Sequence, residues 1–178
     1  MLKRELLTYL SAPVILALNA LYAFGQASFQ GLGDLPGGTV ESNAFAVSAN
    51  GLVVVGSSRG SGGLEAFRWT ASDGMVGLGF LPSTSTLSLA SDVSQGGSVV
   101  VGVSWIAAGR NRAFRWASGT MENMGCLPGD SAYSQAYGVS ADGQRIVGAS
   151  AGSRVQAFLW IAGNWTALGY LTGYNTSY

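Results

Sequence analysis

One stretch of this chain is written three times over, and that period constrains the fold more than any local motif does. Leu32-Gly33-Asp34-Leu35-Pro36 returns as Leu78-Gly79-Phe80-Leu81-Pro82, as Met124-Gly125-Cys126-Leu127-Pro128 and as Leu168-Gly169-Tyr170-Leu171-Thr172, with steps of 46, 46 and 44 residues. Val47-Ser48-Ala49-Asn50-Gly51 returns as Val93-Ser94-Gln95-Gly96-Gly97 and Val139-Ser140-Ala141-Asp142-Gly143. The third landmark is Ala66-Phe67-Arg68-Trp69, then Ala113-Phe114-Arg115-Trp116, then Ala157-Phe158-Leu159-Trp160. The units run over about 33–78, 79–124 and 125–168.

Inside a unit the signals are those of strand and turn. Asn50-Gly51, Gly96-Gly97 and Asp142-Gly143 are dipeptides that favour a two-residue hairpin loop with both positions at positive φ. Each lies between a short segment (strand a, around residue 46) and a dense apolar run such as Val53-Val54-Val55 (strand b). Phe67 and Trp69 stand two apart on strand c, hence on one face, and the turn at Ser72-Asp73-Gly74 leads to strand d. Consecutive valines on strand b imply a sheet covered on both faces, because a strand with one wet face should alternate. The expected fold is therefore all-β, a β-propeller-like array of about three four-stranded antiparallel blades, with a β-solenoid of stacked sheets as the alternative.

Composition narrows the chemistry. Nine Lys and Arg balance nine Asp and Glu, only 10% of the 178 residues are charged, there is no histidine and there is one cysteine. So little charge argues against nucleic acid as a partner, and a chain without histidine has no Ser-His-Asp or Cys-His machinery and no imidazole metal ligand. Cys126 by itself makes neither an intrachain disulfide nor a cysteine zinc site. The eight carboxylates after residue 27 are scattered among turns without a catalytic motif, so no catalytic residue, metal or cofactor is expected.

The N-terminus reads as an address. Lys3 and Arg4, the mostly apolar run from Leu6 to Phe24 and the small residues Gly25-Gln26-Ala27 follow the order of a secretory signal peptide. Residues 1–27 are expected to be removed, with their retention as an uncleaved membrane anchor the alternative, leaving a β-repeat domain over 28–178 with seven basic and eight acidic groups, no lysine, and a secreted, extracellular or cell-envelope location. The membrane enters only through that segment.

Binding candidates come from what the repeat does not explain. Segments 57–63, 103–112 and 149–155 join strands b and c and carry Arg59, Arg110, Arg112 and Arg154. In a propeller such loops emerge on one side, where guanidiniums can grip carboxylated or sulfated glycans. Trp105 and Trp165 lie off the Phe-x-Trp pattern and are the candidate contact aromatics, whereas the patterned aromatics are expected in the core.

The repeated motifs resemble those of the bacterial HAF-repeat proteins, whose unit runs roughly as Gly-Leu-Gly-x-Leu-Pro-Gly, then Ala-x-Gly-Val-Ser-x-Asp-Gly-x-Val-Val-Gly, then His-Ala-Phe-x-Trp. The resemblance extends from Gly31 to Leu171, but the histidine is Glu65, Arg112 and Gln156 here, so no role of that imidazole carries over. It implies a secreted or cell-surface repeat protein without established catalytic residues: a non-catalytic binding or interaction module for a surface glycan or protein. The alternatives are a self-associating structural or adhesive surface protein and a non-functional fragment of a longer propeller or autotransporter passenger. Gly173 to Tyr178 reads like the linker into a fourth unit, so three blades are expected either to belong to a longer protein or to complete a ring as a homo-oligomer.

Overall fold

In the computed structural model the described residues are 29–170. The expected signal segment and the linker beyond Tyr170 lie outside them. The chain divides into two compact units, Met1–Gly31 and Leu32–Tyr178, and all the strands belong to the second. Twelve strands form three four-stranded antiparallel meanders, and among the described residues there is no helix. Blade 1 holds β1 (Ser42–Val47), β2 (Val54–Gly60), β3 (Gly63–Thr70) and β4 (Gly74–Gly77). Blade 2 holds β5 (Ser88–Val93), β6 (Val99–Ala107), β7 (Arg110–Ala117) and β8 (Thr120–Gly125). Blade 3 holds β9 (Tyr133–Val139), β10 (Arg145–Ala151), β11 (Val155–Ile161) and β12 (Asn164–Ala167).

The first turn of each blade differs from expectation. Only the second residue of each dipeptide has positive φ, at 72° for Gly51, 76° for Gly97 and 71° for Gly143. A wider loop is favoured because the serine at its start supplies acceptors of its own: the Ser48, Ser94 and Ser140 hydroxyls take the N–H of Val53, Val99 and Arg145 at 2.9–3.0 Å. Loops of the expected two-residue kind, with both positions at positive φ, occur instead between the last two strands, at Ser118-Gly119 and Ala162-Gly163.

Each blade also carries a bulge at the same place on its first strand, where Phe45, Ser91 and Tyr137 are the extra residues. The bulge brings the first strand onto a glycine of the second. A Cβ at Gly56, Gly102 or Gly148 would lie 1.9–2.0 Å from the carbonyl oxygen of Asn43, Leu89 or Gln135. No side chain fits there, which accounts for the glycine that ends each valine-rich run.

Blades stack face to face through two apolar cores. Val53, Val55 and Ala66 of blade 1, with Leu78 and Leu81 of the segment that follows it, meet Ala90, Val93, Val100 and Phe114 of blade 2. On the opposite face of blade 2, Val99, Val101, Ala113 and Leu127 meet Ala136, Ile146 and Phe158. Phe67, Phe114 and Phe158 are all fully buried. Buried serines stitch the stack. Ser88 accepts from the Ala66 N–H and donates to the Gly79 carbonyl, and Ser134 does the same with Ala113 and Gly125. Ser58, Ser104 and Ser150 accept from the N–H of Leu35, Leu81 and Leu127 at 2.9–3.1 Å. The valines are buried on both faces only in blade 2, because only that sheet has a described sheet on each side.

Candidate functional site at the hairpin edge

The hairpins β2–β3, β6–β7 and β10–β11 hold one equivalent position in the three blades, and they carry the arginines. Three of these are not in loops. Arg59 pairs with Leu64 inside the β2–β3 ladder, while Arg110 and Arg112 pair with Ala107 and Ser104 across β6–β7. The strands run further than the composition of the segments indicates because the tight turns after Gly60 and Ala107 let pairing continue to their ends. Arg154 alone lies in a turn, between β10 and β11.

Their partners divide the four. Arg59 Nε sits 2.9 Å from Glu41 Oε2, so its charge is locally neutralised. Arg112 is half-buried and donates to three carbonyls, Asn111 at 2.7 Å, Ser131 at 3.1 Å and Ala132 at 3.2 Å, pinning the strand entry of blade 3 to blade 2. Arg110 is exposed and makes one long contact, 3.4 Å to the Ser131 carbonyl. Arg154 is also exposed, its Cζ lying 5.9 Å from the Tyr170 ring centroid, a cation–π distance.

The aromatics divide as well. Trp165 packs into the core between blades 2 and 3, its ring centroid 4.5 Å from that of Phe158 at a tilt of 55°. Trp105 is half-buried near the end of β6, opposite Asn111, one strand from Arg110. The end of the β6–β7 hairpin thus carries Arg110 and Arg112 on one face of the sheet and Trp105, paired with Asn111, on the other, with Arg154 at the place on blade 3 equivalent to Arg110.

Two participants escaped the sequence reading. Tyr170, beside Arg154, fills the variable slot of the Leu-Gly-x-Leu motif, and Phe80 in the same slot lies near Gly62 of the β2–β3 turn. That slot flanks the hairpin edge, and its variation among Asp34, Phe80, Cys126 and Tyr170 was the available signal. Asp130 is the carboxylate of this region, accepting from the Ser150 hydroxyl at 2.8 Å. Among the described residues no three His, Cys, Asp or Glu side chains gather into a possible metal site, and no helix is long and apolar enough to cross a membrane.

No family model and no curated protein matches the chain. Solved structures do resemble it. TolB from Acinetobacter baumannii is 14% identical with a TM-score of 0.53, over 71% of this chain and 32% of that one. A putative TolB from Agrobacterium tumefaciens is 15% identical with a TM-score of 0.52, over 73% and 50%. A fucose lectin from Kordia zhangzhouensis, solved with methyl-fucoside, is 14% identical with a TM-score of 0.44, over 73% and 99%. The chain therefore spans about a third to a half of the TolB chains it resembles. The fold is that of a β-propeller-like array, with three four-stranded antiparallel blades.

Proposed function

We propose that this chain is a secreted or cell-surface repeat protein of the HAF type, acting as a non-catalytic module that binds carboxylated or sulfated surface glycans at the hairpin edge of blades 2 and 3. The observation that carries this reading is the division of labour among the arginines. Arg59 and Arg112 are engaged by a carboxylate and by carbonyls, whereas Arg110 and Arg154 are exposed with most of their N–H donors turned to no described partner. A guanidinium still able to donate suits bidentate capture of an anionic group, and Tyr170 offers an aromatic surface for a sugar ring beside Arg154. Carboxylates elsewhere serve the framework: Glu65 takes the Gly79 N–H at 2.7 Å and Asp92 the Val139 N–H at 2.8 Å. Their local employment supports a binding role over a catalytic one. The secretory character of residues 1–27 and the HAF-like motifs support the location.

An array of neutral, carboxylated and sulfated glycans tests it. Acidic glycans are expected to bind, more weakly in high salt, and Arg110→Ala with Arg154→Ala to lower affinity about tenfold or more. Retention of full affinity by the double variant, or turnover of any bound glycan, overturns the reading.

A further inference from the structure

The two junctions between blades show what a blade face requires, and two further faces meet those requirements with no described blade against them. On blade 3, Val147 is 44% exposed and Leu168 57%, whereas their equivalents Val101 and Leu78 are 0% and 8% exposed inside a junction. On blade 1, Val47 is 58% exposed, against 6% for Val93. The two faces are unlike each other and complementary, one being the kind that receives a following blade and the other the kind that is received.

The turn glycines give the fit in detail. A Cβ at Gly97 would lie 2.2 Å from Val53 Cγ2, and one at Gly143 would lie 2.7 Å from Val99 Cγ2, so each turn is seated against the blade before it. Gly51 has nearly the same φ and nothing within 4 Å of the same point. The receiving face of blade 1 also brings a guanidinium to that turn. Arg68 Nε donates to the Gly97 carbonyl at 3.1 Å, and Arg115 occupies the equivalent place on blade 2. On blade 3 that place holds Leu159, and the arginine stands instead at Arg145, on the neighbouring strand in the position of Val53 and Val99. An arginine thus stands on every receiving face, but only Arg68 is bonded to the next turn: Arg115 Nε is buried without a hydrogen-bond partner among the described residues, and Arg145 lies 3.3 Å from Asp142 in its own turn.

We infer that two copies of this chain associate head to tail, the outer face of blade 3 in each receiving blade 1 of the other, with the Gly51 turn set against Arg145 where Gly97 and Gly143 are set against Val53 and Val99. The partner is a second copy because the complementary face is present in the same chain and the existing junctions set its pattern. Two copies supply six blades, within the four to eight with which propellers close. Being heterologous, the contact is satisfied twice in such a pair. It does not rest on the glycan reading, although Arg154 stands beside the inferred junction as Arg110 does beside the existing one, where it reaches the Ser131 carbonyl of the following blade.

The experiment is light scattering on the purified chain and on two variants, Val47→Lys and Val147→Lys, each at an exposed position. The parent is expected at the mass of a dimer, and each variant alone at that of a monomer that still melts cooperatively, at a lower temperature than the associated parent, because a lysine then enters both junctions of any pair. Mixing the variants leaves one junction of wild-type residues. The mixture is therefore expected to associate at concentrations about tenfold or more below those at which either variant does alone. Should Val147→Lys fail to fold, Leu168→Lys serves on the same face. A monomeric parent, as expected if further blades of a longer polypeptide or an unrelated protein cover these faces, overturns the inference. So does a dimer indifferent to both substitutions, or a mixture no more associated than its components.

Discussion

Blade 2 and its two neighbours are built from nearly one sequence, and they differ in what that sequence buries. In blade 2 the run Val99-Val100-Val101 is buried throughout, alternate residues serving alternate junctions. In blade 3 the same positions read Arg145, Ile146 and Val147, of which only Ile146 is buried. The motif therefore encodes a strand with two apolar faces, and the neighbours decide how much of it leaves water. Stability in such an array resides in the junctions, as it does in solenoids whose repeats contact only their neighbours.

The sharpest way to break the comparison is to place the same charge at equivalent positions. Val101→Lys puts an unpaired ammonium into the core between blades 2 and 3 and is expected to cost about 4 kcal/mol or more, enough to abolish the cooperative transition. Val147→Lys, on the outer face of blade 3, is expected to lose only the association inferred above and, below the concentration at which copies associate, to stay within about 0.5 kcal/mol of the parent. Urea melts of the two at such a dilution decide it, and equal losses would show that the face of blade 3 is covered within a single copy.

The turn glycines give a smaller contrast. Gly51→Ala meets only the backbone penalty of a left-handed residue, about 1 kcal/mol. Gly143→Ala adds a collision with Val99 and is expected to cost about 2–4 kcal/mol. Thermal denaturation of both variants checks the difference, and similar midpoints would mean that the blade 3 turn is not seated as described.

Smaller again is the serine stitch. Ser134→Ala leaves the Ala113 N–H buried without its acceptor, for about 1–3 kcal/mol. Ser42→Ala removes only an exposed bond of 2.8 Å to the Gly33 carbonyl and is expected to cost less than about 0.5 kcal/mol. If denaturant midpoints show Ser42→Ala to be the more damaging, the first blade is anchored by something other than its junction with the second.

Much of this architecture was legible in the residues, and the limits of that legibility have physical causes. The period is visible because each blade must repeat its bulge glycine, its Phe-x-Trp strand and its serines to make the same junction. The two-residue loops were misplaced because Ser-Gly and Ala-Gly are weak signals beside Asn-Gly, and because a serine side chain can stabilise a longer turn that local dipeptides do not announce. Arg112 looked like a ligand residue for a similar reason. Its partners, Ser131 and Ala132, lie nineteen and twenty residues away, across a junction that no local pattern reveals. Likewise the off-pattern position of Trp165 hid its packing on Phe158. Which copies of a repeated face lie against a neighbour is invisible when the copies are spelled alike.

The smallest expected effect separates blades 1 and 3 by a single titrating group. Asp142 in the blade 3 turn accepts from the Ser140 hydroxyl, from the Gln144 N–H at 3.0 Å and from Arg145, whose NH1 lies 3.3 Å away. Those contacts, the Ser140 bond foremost, hold its carboxyl below the ordinary aspartate value. A carboxylate whose folded value is depressed binds fewer protons folded than unfolded, so its stabilisation is complete above the unfolded value of about 3.9 and is lost as pH falls through the folded one. In blade 1 the same bonds are made by Asn50, which takes the Ser48 hydroxyl at 2.7 Å and the Leu52 N–H at 3.0 Å without titrating. Asp142→Asn is accordingly expected to keep the turn and its melting point near pH 7, while flattening the decline of stability below about pH 4. Because the carboxylate is solvent-exposed the change will be slight, and melts at closely spaced pH values are needed to resolve it. If the variant declines as steeply as the parent, the acid sensitivity of the array does not originate in this turn.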